Sequence, residues 1–128
     1  MEKTTQISVA LENVPGQLGR LCRVLAQTAV NIRGISISDA ADISTVRLCV
    51  SDPAAAKRVL REAGMSFVTQ DVVMVEVPDK PGALEDVAVR LGEAGVNINY
   101  IYSAGGEAGK AVLVLGVDNV DRARQALR

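Results

Sequence analysis

Two short stretches, Pro15-Gly16-Gln17-Leu18 and Val30-Asn31-Ile32, decide the fold, because each occurs a second time in the chain. The second copies are Pro81-Gly82-Ala83-Leu84 and Val96-Asn97-Ile98, and both follow the first at an offset of 66 residues. One repeated Pro-Gly pair would mean little, but ordered agreement of turn, helix and strand residues at a single offset indicates one supersecondary unit used twice. The sequence therefore predicts two repeats, residues 1–70 and 71–128.

Each copy begins with the alternation that is typical of a half-buried strand, with Ile7, Val9 and Leu11 on one face in the first copy. Pro-Gly stops that strand and suits the first turn of a helix, and Asn13 or Asp79 just upstream could cap its free amides. Apolar residues then recur at i, i+3, i+4 and i+7, which predicts a helix with one buried face. The residues of the two predicted buried faces are Leu18, Leu21, Cys22 and Leu25, and Leu84, Val87, Ala88 and Leu91.

The rest of each copy predicts two strands and a second helix. A segment rich in β-branched residues follows Asn-Ile, and after a polar or Gly-rich connection comes a third strand, in which Val46 matches Val112 at the same offset. Ser51 or Asp52 before Pro53 starts the second helix.

The two copies are predicted to differ in their last strand. Residues 66–69 can form a fourth strand in the first copy, whereas the second copy runs out at Arg128 before its equivalent. The fold class is α+β, with two tandem ferredoxin-like (βαββαβ) repeats. Each has an antiparallel sheet with helices on one face, and the second repeat lacks its last strand.

Composition narrows the function classes. A formal net charge of −1 over 128 residues provides no field that would gather nucleic acid or an anionic membrane surface. No apolar run approaches the roughly 20 residues that span a bilayer, and the polar opening of residues 1–5 lacks the apolar stretch of a signal peptide. These features predict a cytoplasmic protein with neither nucleic acid nor membrane as a partner.

Catalytic and metal-binding residues are not predicted. The chain has no histidine, which removes the commonest general base and metal ligand. Cys22 and Cys49 are far apart and match neither a redox pair nor a metal-ligand spacing, so both are interpreted as reduced small hydrophobes. We therefore expect no enzyme activity, no cofactor and no metal.

The succession of a strand, Asn/Asp-x-Pro-Gly-x-Leu, a helix and Asn-Ile at the next strand resembles the ACT domain family, and it does so twice over nearly the whole chain. The segment from Ile7 to Gly16 also resembles the opening of acetolactate synthase regulatory subunits. Because the Pro-Gly-bearing second copy fits those subunits poorly, a free-standing tandem ACT protein is favoured. The resemblance implies allosteric regulation of an amino-acid metabolism enzyme or pathway, with a free amino acid bound where two ACT units meet.

The resemblance also implies which segments bind the ligand: the loop between the first strand and first helix of one unit faces the second strand of the other. Gly16 and Gly82 let the backbone approach a ligand closely, and a helix start favours a carboxylate. Asp79 could pair with an ammonium group, whereas Asn13 stands where many family members have Asp. The predicted ligand-binding residues are Asn13, Val14, Gly16, Gln17, Leu18, Asn31, Ile32, Asp79, Lys80, Gly82, Ala83, Leu84, Asn97 and Ile98.

Other interpretations of these residues stay open. Pro-Gly is an ordinary turn before a helix and Asn an ordinary residue at a strand start, and Lys80 reads more simply as a solvated loop cation. An RNA-recognition module shares the element order but needs aromatics on its first and third strands, whereas Tyr100 and Tyr102 fall on a second strand. The main alternative is a dimerisation or docking module, or an acetolactate-synthase-like regulatory subunit, without its own small-molecule site.

Strand alternation also predicts how the chain assembles. The helix-free sheet face of the first copy mixes polar and small residues, whereas that of the second is nearly all apolar, and residues 72–77 would form an unpaired sheet edge. We therefore expect a homodimer contacting mainly through the second-copy sheets. The residues predicted for that second face are Val72, Met74, Glu76, Tyr100, Tyr102, Leu113, Leu115 and Val117.

Overall fold

A computed structural model describes residues 1–128 and has the order β-α-β-β-α twice, which confirms the predicted tandem of ferredoxin-like repeats. The first five elements are β1 (Glu2–Glu12), α1 (Gln17–Ala26), β2 (Ile32–Ala40), β3 (Ile43–Val50) and α2 (Pro53–Glu62). The second five are β4 (Phe67–Pro78), α3 (Ala83–Glu93), β5 (Ile98–Ser103), β6 (Lys110–Val117) and α4 (Val120–Ala126).

The chain divides into two compact units, and the first unit is Thr5–Gln70. Its strand order is β2-β3-β1-β4, and β1 and β2 both pair antiparallel with β3. The start of β4 completes the sheet, since the amide of Ala10 donates to the carbonyl of Ser66 at 3.0 Å. The core lies between this sheet and α1 and α2, where Ile7, Leu21 and Leu60 are fully buried.

The second unit consists of Met1–Thr4 and Asp71–Arg128, with the strand order β1-β4-β6-β5. Within residues 1–128 no strand follows α4, in agreement with the prediction for the second repeat. The first residues of β1 lie beside β4 instead, with Lys3 Nζ at 3.6 Å from Asp71 Oδ2. The prediction that residues 72–77 form an unpaired edge is therefore wrong, because β4 has a neighbour on both sides.

The offset between the repeats changes from 66 to 67 residues at the third strand. In the first unit Val9 pairs with Val46, and in the second Val75, 66 residues after Val9, pairs with Leu113 rather than Val112. The extra residue lies in the Gly-rich connection between β5 and β6. Because strand neighbours point to opposite faces, this single insertion exchanges the two faces of β6 relative to a gapless alignment.

The predicted helix-free face of the second repeat is therefore partly wrong. Leu113, Leu115 and Val117 belong to the core beneath α3 and α4, and Val114 takes their place on the helix-free face. Val72 and Val114 are nonetheless fully buried, and Met74 is only 4% exposed. This face is thus not an exposed apolar surface, and the reason given for a homodimer contacting through it does not hold.

The helix starts separate into two kinds. Asp52 caps α2, its side chain accepting from the amide of Ala55, and Asn119 caps α4 in the same way. Gly16 and Gly82 occupy the caps of α1 and α3 with no side-chain hydrogen bond. Asn13 and Asp79 therefore do not cap these helices as predicted, because each stands three residues before the capping glycine.

Candidate functional site

The loop between β1 and α1 is fixed to the hairpin turn between β2 and β3. The amide of Asn13 donates to the carbonyl of Asp42 at 2.8 Å, and Asn13 Nδ2 donates to the carbonyl of Ala41 at 3.0 Å. The side-chain nitrogen is thus engaged, while its Oδ1 has no hydrogen-bond partner in the chain. The Asn13 amide oxygen is held by the loop and can accept from a ligand.

Gly16 turns the chain from this loop into α1. Its φ of 91° lies in the left-handed region, and no atom lies within 4 Å of the space that a Cβ would occupy. Because no side chain caps the helix, the amides of its first turn lack the partner that a Ser or Asp would supply. Free amides at a helix start attract a carboxylate.

A pocket of about 120 Å³ lies beside this loop in the first unit. It is bounded by the end of β1, the start of α1 and the facing strands β2 and β3. Four predicted ligand-binding residues, Asn13, Val14, Gln17 and Leu18, line it, and Gly16 lies between them in the chain. The other lining residues, which the sequence analysis did not name, are Leu11, Glu12, Ile37, Ser44 and Val46.

The rim of the pocket is apolar and accessible to solvent. Leu18 is 38% exposed, Val14 49% and Ile37 48%. The helical periodicity predicts Leu18, Leu21 and Leu25 as core residues. Leu21 and Leu25 are buried as expected, but the prediction is wrong for Leu18 in the first turn of α1. The equivalent Leu84 and the neighbouring Ala88 in α3 are exposed as well.

Ser44 lies deeper in the pocket. It is only 7% exposed and pairs through β3 with Leu11 of β1, on the core side of the sheet. Its hydroxyl makes no hydrogen bond in the chain. The hydroxyl is not cut off from solvent, so it is open to the pocket and can donate to or accept from a ligand there.

The corresponding loop of the second unit has the same backbone but different chemistry. Gly82 has a φ of 89°, and the amide of Asp79 donates to the carbonyl of Gly109 at 3.0 Å. The amide of Ala83 donates to the carbonyl of Lys80 at 3.3 Å. Asp79 and Lys80 are both exposed, so this loop presents charges where the first unit presents Asn13 and Val14.

The Asn-Ile segments lie at the other end of the strands. The amide of Asn31 donates to Ser51 Oγ at 2.9 Å, and the amide of Asn97 donates to Asp118 Oδ1 at 3.0 Å. These bonds join the start of β2 or β5 to the segment before α2 or α4. Six residues separate Asn31 from Ile37 at the pocket, so Asn31 lies roughly 20 Å from the pocket of its own unit. Asn97 likewise lies at the start of β5, away from the loop of its unit.

The pocket residues that the sequence analysis missed come from the β2–β3 hairpin. Ile37 pairs with Val46, and Ser44 with Leu11, so all four side chains point to the helix side of the sheet. The alternation of residues in β2 and β3 predicts which side chains share a face, but only the strand register shows which of them lie beside the β1–α1 loop.

Two other concavities include none of the predicted ligand-binding residues. The larger, of about 220 Å³, lies near Ser8, Thr45 and Val68. No group of three or more Asp, Glu, Cys or His side chains could hold a metal ion, and both cysteines are free. None of the four helices combines the length and apolar character needed to cross a membrane.

The two βαββα units, each with a glycine turn between the first strand and first helix, define the class of the protein. The family of ACT domain pairs matches residues 2–127, and the chain belongs to this family. The resemblance seen in the sequence is thereby confirmed. No match was found among curated protein sequences.

Solved structures of similar fold support the same assignment. A protein from Bacteroides thetaiotaomicron is 34% identical and superposes with a TM-score of 0.92, covering 98% of this chain and 86% of its own. The regulatory subunit of aspartate kinase from Thermus thermophilus, in a ligand-free form, is 14% identical with a TM-score of 0.73, covering 96% and 89%. The corresponding subunit from Thermus flavus is 17% identical with a TM-score of 0.63, covering 100% and 94%.

Proposed function

We propose that the chain is a non-enzymatic regulatory protein that binds a free amino acid and controls an enzyme or pathway of amino-acid metabolism. The observation that carries this proposal is the pocket beside the β1–α1 loop of the first unit. It combines an uncapped helix start at Gly16, a fixed amide oxygen on Asn13 and a hydroxyl on Ser44 that has no partner in the chain and is open to the pocket.

Each polar group of an amino acid finds a partner in this pocket. The ligand carboxylate binds the free amides at the start of α1, and its ammonium group donates to Asn13 Oδ1. The Ser44 hydroxyl supplies a further donor or acceptor. The similarity of fold to regulatory subunits of aspartate kinase agrees with a regulatory role.

The proposed site is completed by a second copy of the chain. Strand β2 lies at the edge of the first unit and β5 at the edge of the second, and Ile35 and Ile101 on these strands are 39% and 38% exposed. A homodimer through these edges would cover them and bring the Asn-Ile segment of one copy toward the loop of another. In this arrangement Asn97 and Ile98 would face the loop of residues 13–18, and Asn31 and Ile32 the loop of residues 79–84.

Amino-acid binding is tested by thermal unfolding of the purified chain against all twenty amino acids, followed by isothermal titration of those that stabilise it. A ligand that binds only the folded state raises the midpoint by mass action. Ser44→Ala should weaken binding of every active amino acid by about fivefold, the loss of roughly one net hydrogen bond. Ser66→Ala, an exposed serine outside the pocket, serves as the control. If no amino acid stabilises the chain or gives heat, the effector role is wrong.

The docking alternative is favoured by the same exposed isoleucines, which could bind a partner without any ligand. Sedimentation equilibrium at micromolar concentration tests the homodimer, and Ile35→Lys should shift it toward monomer. Ile43→Lys is the matched control, since Ile43 is 46% exposed but points to the opposite face of the sheet. A monomeric native chain would contradict the dimer, and a dimer that tolerates Ile35→Lys would contradict this interface.

A further inference from the structure

We infer that the pocket of the first unit selects an amino acid with an aliphatic side chain, such as leucine, isoleucine or valine, and that the loop of the second unit does not share this selectivity. The inference rests on the proposed function, because it specifies the ligand of the same pocket. It is based on the pocket side chains that contact neither the carboxylate nor the ammonium group of the ligand in the proposed site.

The apolar part of the lining lies on three elements. Val14 from the loop, Leu18 from α1 and Ile37 from β2 form a rim, and Leu11 and Val46 lie behind it. The three rim residues are between 38% and 49% exposed, although residues of their size and polarity are ordinarily buried. An aliphatic side chain placed among them would remove apolar surface from water on both sides, which favours binding.

The charges of the lining exclude the competing side chains. Glu12 is the only ionisable residue around the pocket, and no Lys or Arg lines it. A side-chain carboxylate would have no cationic partner, and a second ammonium group would have no anionic one, because Glu12 pairs with Ile43 and its side chain points to the opposite face of the sheet.

The size of the pocket agrees with a small ligand. A volume of about 120 Å³ is far below the several hundred Å³ of pockets that hold nucleotides or drug-sized molecules. This volume suits a single short side chain, while the polar groups of the ligand are held by the start of α1 and by Asn13.

The second unit provides the contrast within the same chain. The residues equivalent to Val14 and Ile37 are Lys80 and Ser103, both exposed, and Ala111 stands in the place of Ser44. The backbone turn is retained at Gly82, but two of the three rim residues are polar and the Ser44 hydroxyl has no counterpart. Aliphatic selectivity is thus a property of the first unit.

Isothermal titration of the full chain with L-leucine, L-isoleucine, L-valine, L-aspartate and L-lysine tests the inference. We expect at least one aliphatic amino acid to bind at least tenfold more tightly than aspartate or lysine. In Ile37→Asn the affinity for that ligand should fall about tenfold, with no change in the unfolding midpoint of the free protein. Ile43→Asn, equally exposed but outside the pocket, should change it less than twofold.

Amide spectra of the 15N-labelled chain locate the ligand. The aliphatic amino acid should shift the Gly16 resonance and leave that of Gly82 in place. Tightest binding by aspartate or lysine, an unchanged affinity in Ile37→Asn, or a shift of Gly82 alone would overturn the inference while leaving amino-acid binding intact. If no amino acid binds at all, the proposed function itself fails.

Discussion

The edge hairpins β2–β3 and β5–β6 each pair a glycine with a larger residue at the same position, but on opposite strands. In the first unit Gly34 of β2 pairs with Cys49 of β3, and in the second Tyr100 of β5 pairs with Gly116 of β6. Both pairs follow a register irregularity at the start of the edge strand. The larger residue of the pair is on β3 in the first unit and on the edge strand β5 in the second. The fold therefore requires the space at this position to be filled, and either strand can supply the side chain.

The same contrast runs through the loops beside the first helices. Gly16 and Gly82 have φ angles of 91° and 89°, so the turns are alike. Around them Val14 is replaced by Lys80, an aliphatic side chain by a cation. The backbone of the repeat is thus kept where geometry demands it, while the exposed positions that a ligand would contact have diverged.

The largest expected effect tests the register that underlies this comparison. Leu48 and Leu115 are equivalent at an offset of 67 and both are fully buried. Truncation of either residue to alanine should lower the free energy of unfolding by about 3 kcal/mol, as expected for a core leucine. Urea denaturation measures this cost. A loss below about 1 kcal/mol for Leu115→Ala, against a full loss for Leu48→Ala, would contradict the assigned register.

A smaller effect is expected at the pair Tyr100 and Gly116, in which the glycine and the larger residue are on opposite strands from those in the first unit. The ring of Tyr100 occupies the space that a Cβ at Gly116 would need, so Gly116→Ala should cost about 2 kcal/mol through overpacking. The ring also stacks on Tyr102, with centroids 6.4 Å apart, so a shift of the ring would disturb this stacking. The measurement is the shift of the urea midpoint.

Two further variants make this test specific. In a Tyr100→Gly background, which restores the small edge-strand residue of the first unit, the cost of Gly116→Ala should largely vanish in a double-mutant cycle. Gly92→Ala, at a helical glycine with open space around it, should instead stabilise the chain by up to about 1 kcal/mol. Equal costs in both backgrounds would show that the ring is not the cause.

The smallest expected effect separates the two kinds of helix start. Asp52→Ala and Asn119→Ala each remove a side-chain cap bond, of 3.1 and 3.0 Å, and should cost about 1 kcal/mol. Asp79→Ala should change stability by less than about 0.5 kcal/mol, since Asp79 is exposed and caps no helix. Thermal unfolding compares the three variants. If Asp79→Ala destabilised the chain as much as Asp52→Ala, Asp79 would cap α3 after all.

The sequence by itself determined the features that depend on neighbouring residues. The two copies, the order of strands and helices, and the start of the second helix just before Pro53 follow from periodicity, propensity and turn chemistry. Each of these is fixed within a few residues of the chain, so a single sequence contains the whole signal. Part of the site was predictable on the same ground, because the loop of residues 13–18 is such a local motif.

Only the tertiary structure decided what depends on residues far apart in the chain. The extra residue before β6 leaves the composition of the strand unchanged, so the exchange of its faces becomes visible only through pairing with β4. The position of Met1–Thr4 beside β4, and the exposure of Leu18 at a pocket that Ile37 and Ser44 complete, likewise depend on strand register. The physical reason is that periodicity gives each element a face, whereas pairing between distant strands determines what that face meets.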